Sequence, residues 1–279
     1  LNPSLLANLK KQGIVVPTPI QDQIIPLLLN QKDVIGLANT GTGKTLAFLL
    51  PMMHHLLSGK LKHLLIMAPT RELAVQIHKT FQDLTASFHV SSALCIGGAS
   101  MRYQRNDLRS NPTVVIGTPG RLKDFVEQRA LQLFRFDAVV LDEVDRMLDI
   151  GFRKDIEHLL SKLPKARLSA FFSATIDQTS EVIMTTHSSN PIKIALTVNQ
   201  TNTHIDQDII PVSSAMEKVH VLHSLLLDPA FSRVIVFGRT KHGINRLEYL
   251  LAEKGLSVCS IHGNKTQNAR QRSLRLFSQ

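Results

Sequence analysis

Residues 33–45 read Asp-Val-Ile-Gly-Leu-Ala-Asn-Thr-Gly-Thr-Gly-Lys-Thr, and Leu-Ala-Phe-Leu-Leu (46–50) follows. Val34 to Leu37 is a short apolar run that ends in a glycine-rich turn. The turn opens onto a segment of helical character. Strand, turn and helix in immediate succession begin a parallel α/β unit. A Cβ at Gly41 or Gly43 would obstruct the backbone N–H groups that wrap an oligophosphate. The helix behind the turn aims its positive N-terminus at the same point. The spacing from Ala38 through Asn39, Thr40, Gly41 and Thr42 to Gly43-Lys44-Thr45 brings an ammonium to the terminal phosphates. It also brings the Thr45 hydroxyl to Mg²⁺.

Working outward, the same alternation repeats. Strands are expected at Asp33–Leu37, His63–Ala68, Val90–Ile96, Thr113–Gly117, Ala138–Leu141, Arg167–Ser173 and Ile192–Leu196. Helices are expected at Lys44–Leu57, Arg71–Ser87, Gly120–Gln128 and Ile156–Leu163. Apolar strands separated by helices predict an α/β fold, a mostly parallel sheet covered by helices on both faces. Ligands on such sheets sit at the carboxyl ends of the strands. Leu196–Asp206 is polar and aperiodic, and reads as a linker. A second alternation follows, with strands at 207–212, 233–237 and 257–261 and helices at 215–227, 242–254 and 267–277. The expected organisation is a first domain at 1–197, a linker at 198–206 and a partial second domain at 207–279.

The run Phe136–Met147, FDAVVLDEVDRM, is electrostatically odd. A greasy strand ends in Asp142, Glu143 and Asp145, carboxylates that repel one another and resist losing water. Next to a phosphate loop the cluster has a purpose. Asp142 is placed to hold Mg²⁺, and Glu143 to orient or deprotonate an attacking water. Asp145 is left over and needs a different role.

Composition narrows the class. Of 279 residues, 43% are apolar and 19% charged, which suits a globular chain of more than one typical domain. The net charge of +10 favours a polyanionic partner. Tryptophan is absent and aromatics are 5%, which argues against a wide base-stacking platform. Two distant cysteines, Cys95 and Cys259, form no disulfide framework or zinc spacing. His54-His55 and His220/His223 lack an HExxH context and read as surface or packing histidines. No apolar run reaches the length of a membrane span, and no signal-peptide layout opens the chain. A reducing compartment, cytoplasmic or nuclear, is expected. Leu1 in place of an initiator methionine reads as a piece of a longer protein.

The ordered set of short motifs resembles the DEAD-box family of ATP-dependent RNA helicases. The motifs are GIVVPTPIQ (13–21), ANTGTGKT (38–45), PTRELA (69–74), GG (97–98), TPGR (118–121), DEVD (142–145), SAT (173–175), VIVFGRT (234–240) and QNAR (267–270). The resemblance implies a RecA-like P-loop domain, an incomplete second RecA-like domain, and ATP with Mg²⁺ as the bound cofactors. It implies that Thr18 and Gln21 belong to the segment that reads adenine. It implies RNA-backbone contacts at Pro69, Thr70, Arg71, Gly97, Gly98, Thr118, Pro119, Gly120 and Arg121. Arg71 and Arg121 also have structural alternatives, as helix-start residues paired with Glu72 and Asp124. Ser173 and Thr175 are implied to couple ATP state to RNA state, with Asp145 accepting a hydroxyl bond from one of them. Val144 replaces the family's usual alanine and removes no functional atom. An adenine-covering aromatic would precede Leu1, and an arginine-finger motif would follow Gln279, so poor hydrolysis is expected of this chain alone. The expected function is RNA-dependent ATP hydrolysis with local unwinding or remodelling of RNA duplexes. The expected partner is RNA, with room for protein regulators, no membrane, and a monomeric state. Alternatives are a non-hydrolysing RNA clamp or scaffold, and a DNA-acting relative.

Overall fold

The computed structural model describes residues 1–196 and 206–278. The chain divides into two compact units, Leu1–Asn199 and Gln200–Gln279. The expected linker at 198–206 lies outside the described residues apart from Asp206.

The first unit runs α1 (Pro3–Lys11), α2 (Pro19–Leu29), β1 (Val34–Leu37), α3 (Lys44–Leu57), β2 (Leu64–Met67), α4 (Arg71–Thr85), β3 (Ser92–Cys95) and α5 (Met101–Arg109). It continues β4 (Val114–Gly117), α6 (Pro119–Glu127), β5 (Ala138–Leu141), α7 (Val144–Asp149), α8 (Arg153–Ser161), β6 (Leu168–Ser173), α9 (Gln178–Thr186) and β7 (Ile192–Ala195). The strands form one sheet in the order β3-β4-β2-β5-β6-β1-β7, and every pair in it is parallel. All seven expected strands are present, each trimmed by at most a few residues. Helices α1, α2, α5, α7 and α9 join the four read from the sequence.

Strand alternation sorts the core into two layers. Val34, Leu64, Ile66, Val114, Val140 and Phe172 face α1–α4, where Leu5, Ile24, Phe48 and Phe81 are buried. Ile35, Leu65, Val115, Val139, Leu141 and Phe171 face α5–α9, where Phe125, Met147 and Ile156 are buried. Neighbours on a strand point to opposite faces, so a run apolar at every position must be covered on both. Gly36 lets α2 approach β1 closely, since a Cβ there would lie 2.7 Å from Ile24 Cδ1 and 2.9 Å from Phe172. Because the sheet is parallel, the turns after β1, β5 and β6 share one edge with those after β2, β3 and β4.

The second unit corrects part of the expectation. Helices α10 (Ala215–Leu226), α11 (Lys241–Glu253) and α12 (Gln267–Ser278) form where expected. The segments 207–212, 233–237 and 257–261 form no strand ladder. A strand satisfies its N–H and C=O groups through a neighbouring strand, and these three segments do not pair. Their apolar side chains stay largely in solvent, Ile209 at 90% and Phe237 at 93% exposed. Leu251 is the one buried apolar residue among the described residues of this unit.

Candidate functional site

The turn between β1 and α3 is built on two glycines with left-handed backbone, Gly41 (φ +85°) and Gly43 (φ +94°). Gly43 caps α3, so the first N–H groups of that helix point into the turn. Behind it lies the 18–21 segment. Gln21 donates from Nε2 to Gly43 O at 3.0 Å and accepts from Thr18 N on Oε1 at 3.1 Å. Gln21 is only 4% exposed, so its amide braces the turn. Lys44 closes the loop on itself, its Nζ donating to Ala38 O at 2.7 Å. Thr42 Oγ1 donates to Asn39 O at 2.8 Å, while Asn39, Thr40 and Gly41 are exposed. Thr45 sits half-buried on the first turn of α3.

The acidic tetrad lies at the same edge. Thr40 Oγ1 and Glu143 Oε1 are 3.5 Å apart, which joins two segments a hundred residues distant in sequence. Asp142 is buried, and its Oδ1 has no hydrogen-bond partner. Burial pushes its carboxyl up to about 6, the Lys44 ammonium pulls it back and Glu143 raises it further. A buried, unpartnered carboxylate oxygen beside a phosphate loop has the chemistry of a hard-cation ligand, so these residues fit Mg²⁺. Among the described residues no cluster of three or more His, Cys, Asp or Glu could hold a metal alone. Mg²⁺ takes one or two carboxylates together with phosphates and water.

Glu143 caps α7 in a left-handed conformation (φ +57°) that is uncommon for a residue with a Cβ. Its Oε2 pairs with Arg146 Nη1 at 3.3 Å. Asp145 binds the end of β6: Oδ2 accepts from Ala174 N (3.2 Å), Thr175 N (2.8 Å) and Thr175 Oγ1 (2.8 Å). Burial pushes the Asp145 carboxyl up, but the Thr175 bonds outweigh it and hold the group below its ordinary value. Of the two hydroxyls, Thr175 is the one that donates to the carboxylate. Ser173 Oγ instead donates to Thr175 O at 2.6 Å and accepts from Asp145 N at 3.3 Å.

The other half of the edge carries three turns. Thr70 caps α4, its Oγ1 accepting from Leu73 N at 3.2 Å, and Pro69 precedes it. Arg71 lies over the Gly97-Gly98 turn: a Cβ at Gly98 would meet Nη1 at 2.3 Å, and one at Gly97 would meet Nη2 at 2.9 Å. Thr118 caps α6 with Pro119 at its first position, and a Cβ at Gly120 would make ordinary contact with Phe152 and Asp155, at 3.8 and 4.0 Å. Arg121 turns inward. It pairs with Asp124 at 3.6 Å and donates to Ala99 O and to Gln104 Oε1.

A family model described as DEAD/DEAH box helicase matches residues 18–183, and one described as helicase conserved C-terminal domain matches residues 217–279. The chain belongs to the DEAD/DEAH box helicase family. ATP-dependent RNA helicase RhlB of Vibrio cholerae is 39% identical over 289 residues, covering 100% of this chain and 66% of that protein. ATP-dependent RNA helicase DeaD of Buchnera aphidicola is 38% identical over 277 residues, covering 98% of this chain and 46% of that one. The crystal structure of a DEAD box protein from the hyperthermophile Methanococcus jannaschii superposes with a TM-score of 0.67 at 31% identity. It covers 100% of this chain and 75% of that one. The chain thus spans just under two thirds of the length of several curated helicases it matches.

In this DEAD/DEAH box chain two site residues escaped the sequence. Arg146 follows Glu143 by three positions on a helix, a spacing that brings opposite charges together. Gln104 is buried in α5 between Ile96 and Arg121. Its signal was a polar residue sharing a helix face with Leu108, four positions on, in a segment that is otherwise mostly polar and charged.

Proposed function

We propose that this chain is the ATP- and RNA-binding core of an RNA-dependent ATPase that locally unwinds or remodels RNA duplexes. The first domain spans 1–197, a linker 198–206, and part of a second RecA-like domain 207–279. The observation that carries the reading is the buried, unpartnered Asp142 Oδ1 at the edge where the Ala38–Thr45 loop and α3 converge.

The loop amides of Ala38–Thr45 and the Lys44 ammonium bind the phosphates of ATP. Thr45 and Asp142 would hold Mg²⁺, which when bound neutralises phosphate charge. Glu143 takes the proton of the water that attacks the γ-phosphorus as the bond to the β,γ-bridging oxygen breaks and ADP leaves with the electron pair. Thr18 and Gln21 orient the adenine side of the turn. Pro69–Arg71, Gly97-Gly98 and Thr118–Gly120 take the RNA backbone, through amides and short hydroxyls at helix starts, with Arg121 paired behind them to Asp124, Ala99 and Gln104. Backbone contacts read no sequence, so RNA binds with little sequence preference, and the 2′-OH separates RNA from DNA. Asp145, Ser173 and Thr175 couple ATP state to RNA state at the end of β6, which lies between β1 and β5.

The test is Glu143→Gln, assayed for ATP binding by titration and for ATP turnover with and without RNA. Binding within about two-fold of the parent chain with turnover lowered about a hundred-fold is expected. Parent-like turnover by the variant would remove Glu143 from the chemistry. Matched RNA and DNA duplexes in the same assay decide the nucleic acid.

A further inference from the structure

Gln104 is 5% exposed in the middle of α5. Its amide lies along the backbone of Ile96, accepting from Ile96 N at 3.1 Å and donating to Ile96 O at 3.0 Å. Ile96 stands just past the end of β3 and just before Gly97-Gly98, where the ladder bonds of the sheet stop. The same Oε1 accepts from Arg121 Nη1 at 3.2 Å. Arg121 reaches the far side of the glycines as well, donating to Ala99 O at 3.4 Å. Its guanidinium lies 5.9 Å from the Phe125 ring centre, and its side chain is 12% exposed. One arginine therefore grips the two-glycine turn on both sides, at Ala99 directly and at Ile96 through Gln104.

A turn with two adjacent glycines is soft, and Gly98 takes a left-handed φ of +75°. Ordering such a turn at the moment of binding costs conformational entropy, and ordering it beforehand removes that cost. Arg121 Nη1 is shared by two acceptors and its Nε faces the Asp124 carboxylate, so both nitrogens are engaged without RNA.

We propose that Gln104 is a positioning residue for the Gly97-Gly98 turn. Arg121 acts through it, fastening the 97–99 and 118–121 turns into one unit instead of contacting phosphate. The proposal rests on the RNA-binding function proposed for these turns. Three single variants test it: Gln104→Met removes both kinds of bond, Gln104→Glu keeps the acceptor for Ile96 N and Arg121, and Arg121→Met removes the grip. A double Met variant completes the cycle.

Amide hydrogen exchange at residues 96–99, measured without RNA, should quicken in both Met variants and return towards the parent rate in Gln104→Glu. RNA affinity, measured over a salt series, should fall about ten-fold in each Met variant and no further in the double. The salt slope of Arg121→Met should match that of the parent chain. A slope reduced by about one, with losses that multiply in the double variant, would make Arg121 a phosphate ligand and overturn the proposal. Unchanged exchange at 96–99 in Arg121→Met would overturn it too. If the parent chain binds no RNA, the RNA reading fails, and the exchange data still decide whether the two turns are fastened.

Discussion

Asp142 shows how one side chain sets a cost that only a ligand relieves. Its folded carboxyl titrates at about 6 against an ordinary 3.8, because burial opposes the charged form. The folded state therefore binds this proton more tightly than the unfolded chain does. The penalty is absent in acid, grows as pH rises from about 4 to 6, and is full above 6, at about 3 kcal/mol. Asp142→Asn should stabilise the nucleotide- and metal-free chain at pH 7 to 8 by up to that amount. The gain should shrink to nothing near pH 4, as read by denaturant melts of both proteins across pH. A gain independent of pH would exclude the buried negative charge as its source. Gly43 is constrained differently. An Ala there would hold φ at +94° and bring its Cβ within 2.5 Å of Gln21 Nε2 and 2.8 Å of Thr18 Oγ1. Left-handed backbone alone costs a residue with a Cβ about 1–2 kcal/mol. Gly43→Ala should lower the melting temperature and cut nucleotide affinity at least ten-fold, and parent-like values for both would refute this.

At the scale of elements, the link between β5 and β6 runs through Asp145. Three donors from Ala174 and Thr175 converge on one carboxylate oxygen. Asp145→Ala leaves them without an acceptor and should cost about 1–3 kcal/mol in urea unfolding. Because the carboxyl is held below its ordinary value, this stabilisation is present above the unfolded pKa and disappears as pH falls through the folded one. The difference between parent and variant should therefore shrink in strong acid, where the protonated carboxyl accepts only as a neutral group. Which elements were legible follows from their chemistry. β2 and β5 are unbroken apolar runs and could be read directly. α4 has Thr70 as a cap and Ala74, Ile77, Phe81 and Leu84 on one face. α5, by contrast, is so polar that its only buried residues are Gln104 and Leu108, too few apolar side chains to mark a core helix. α7 is six residues long and begins at a left-handed glutamate, which no propensity would place there.

The two units should differ in local stability as they differ in burial. β1, β5 and β6 are paired on both sides and carry fully buried side chains, whereas α10 contains no buried residue. Protection from exchange follows buried contacts and shielded backbone bonds. Hydrogen exchange by mass spectrometry should find α10–α12 exchanging well before β1, β5 and β6, and equal protection would count against the structure of the second unit. By itself, the sequence determined the strand–turn–helix alternation, the glycine loop, the acid cluster and the basic balance, because each depends on neighbours within a few residues. The pairing of 207–212, 233–237 and 257–261 could not be read that way, since a strand exists only through its partner. Tertiary structure alone decided that β6 lies between β1 and β5, setting Ser173–Thr175 between the phosphate loop and the tetrad. It also decided that Asp145 meets Thr175 and Gln104 meets Arg121. Strand order in a parallel sheet is fixed by long crossovers packing their helices against both faces, and a local pattern carries no record of that choice.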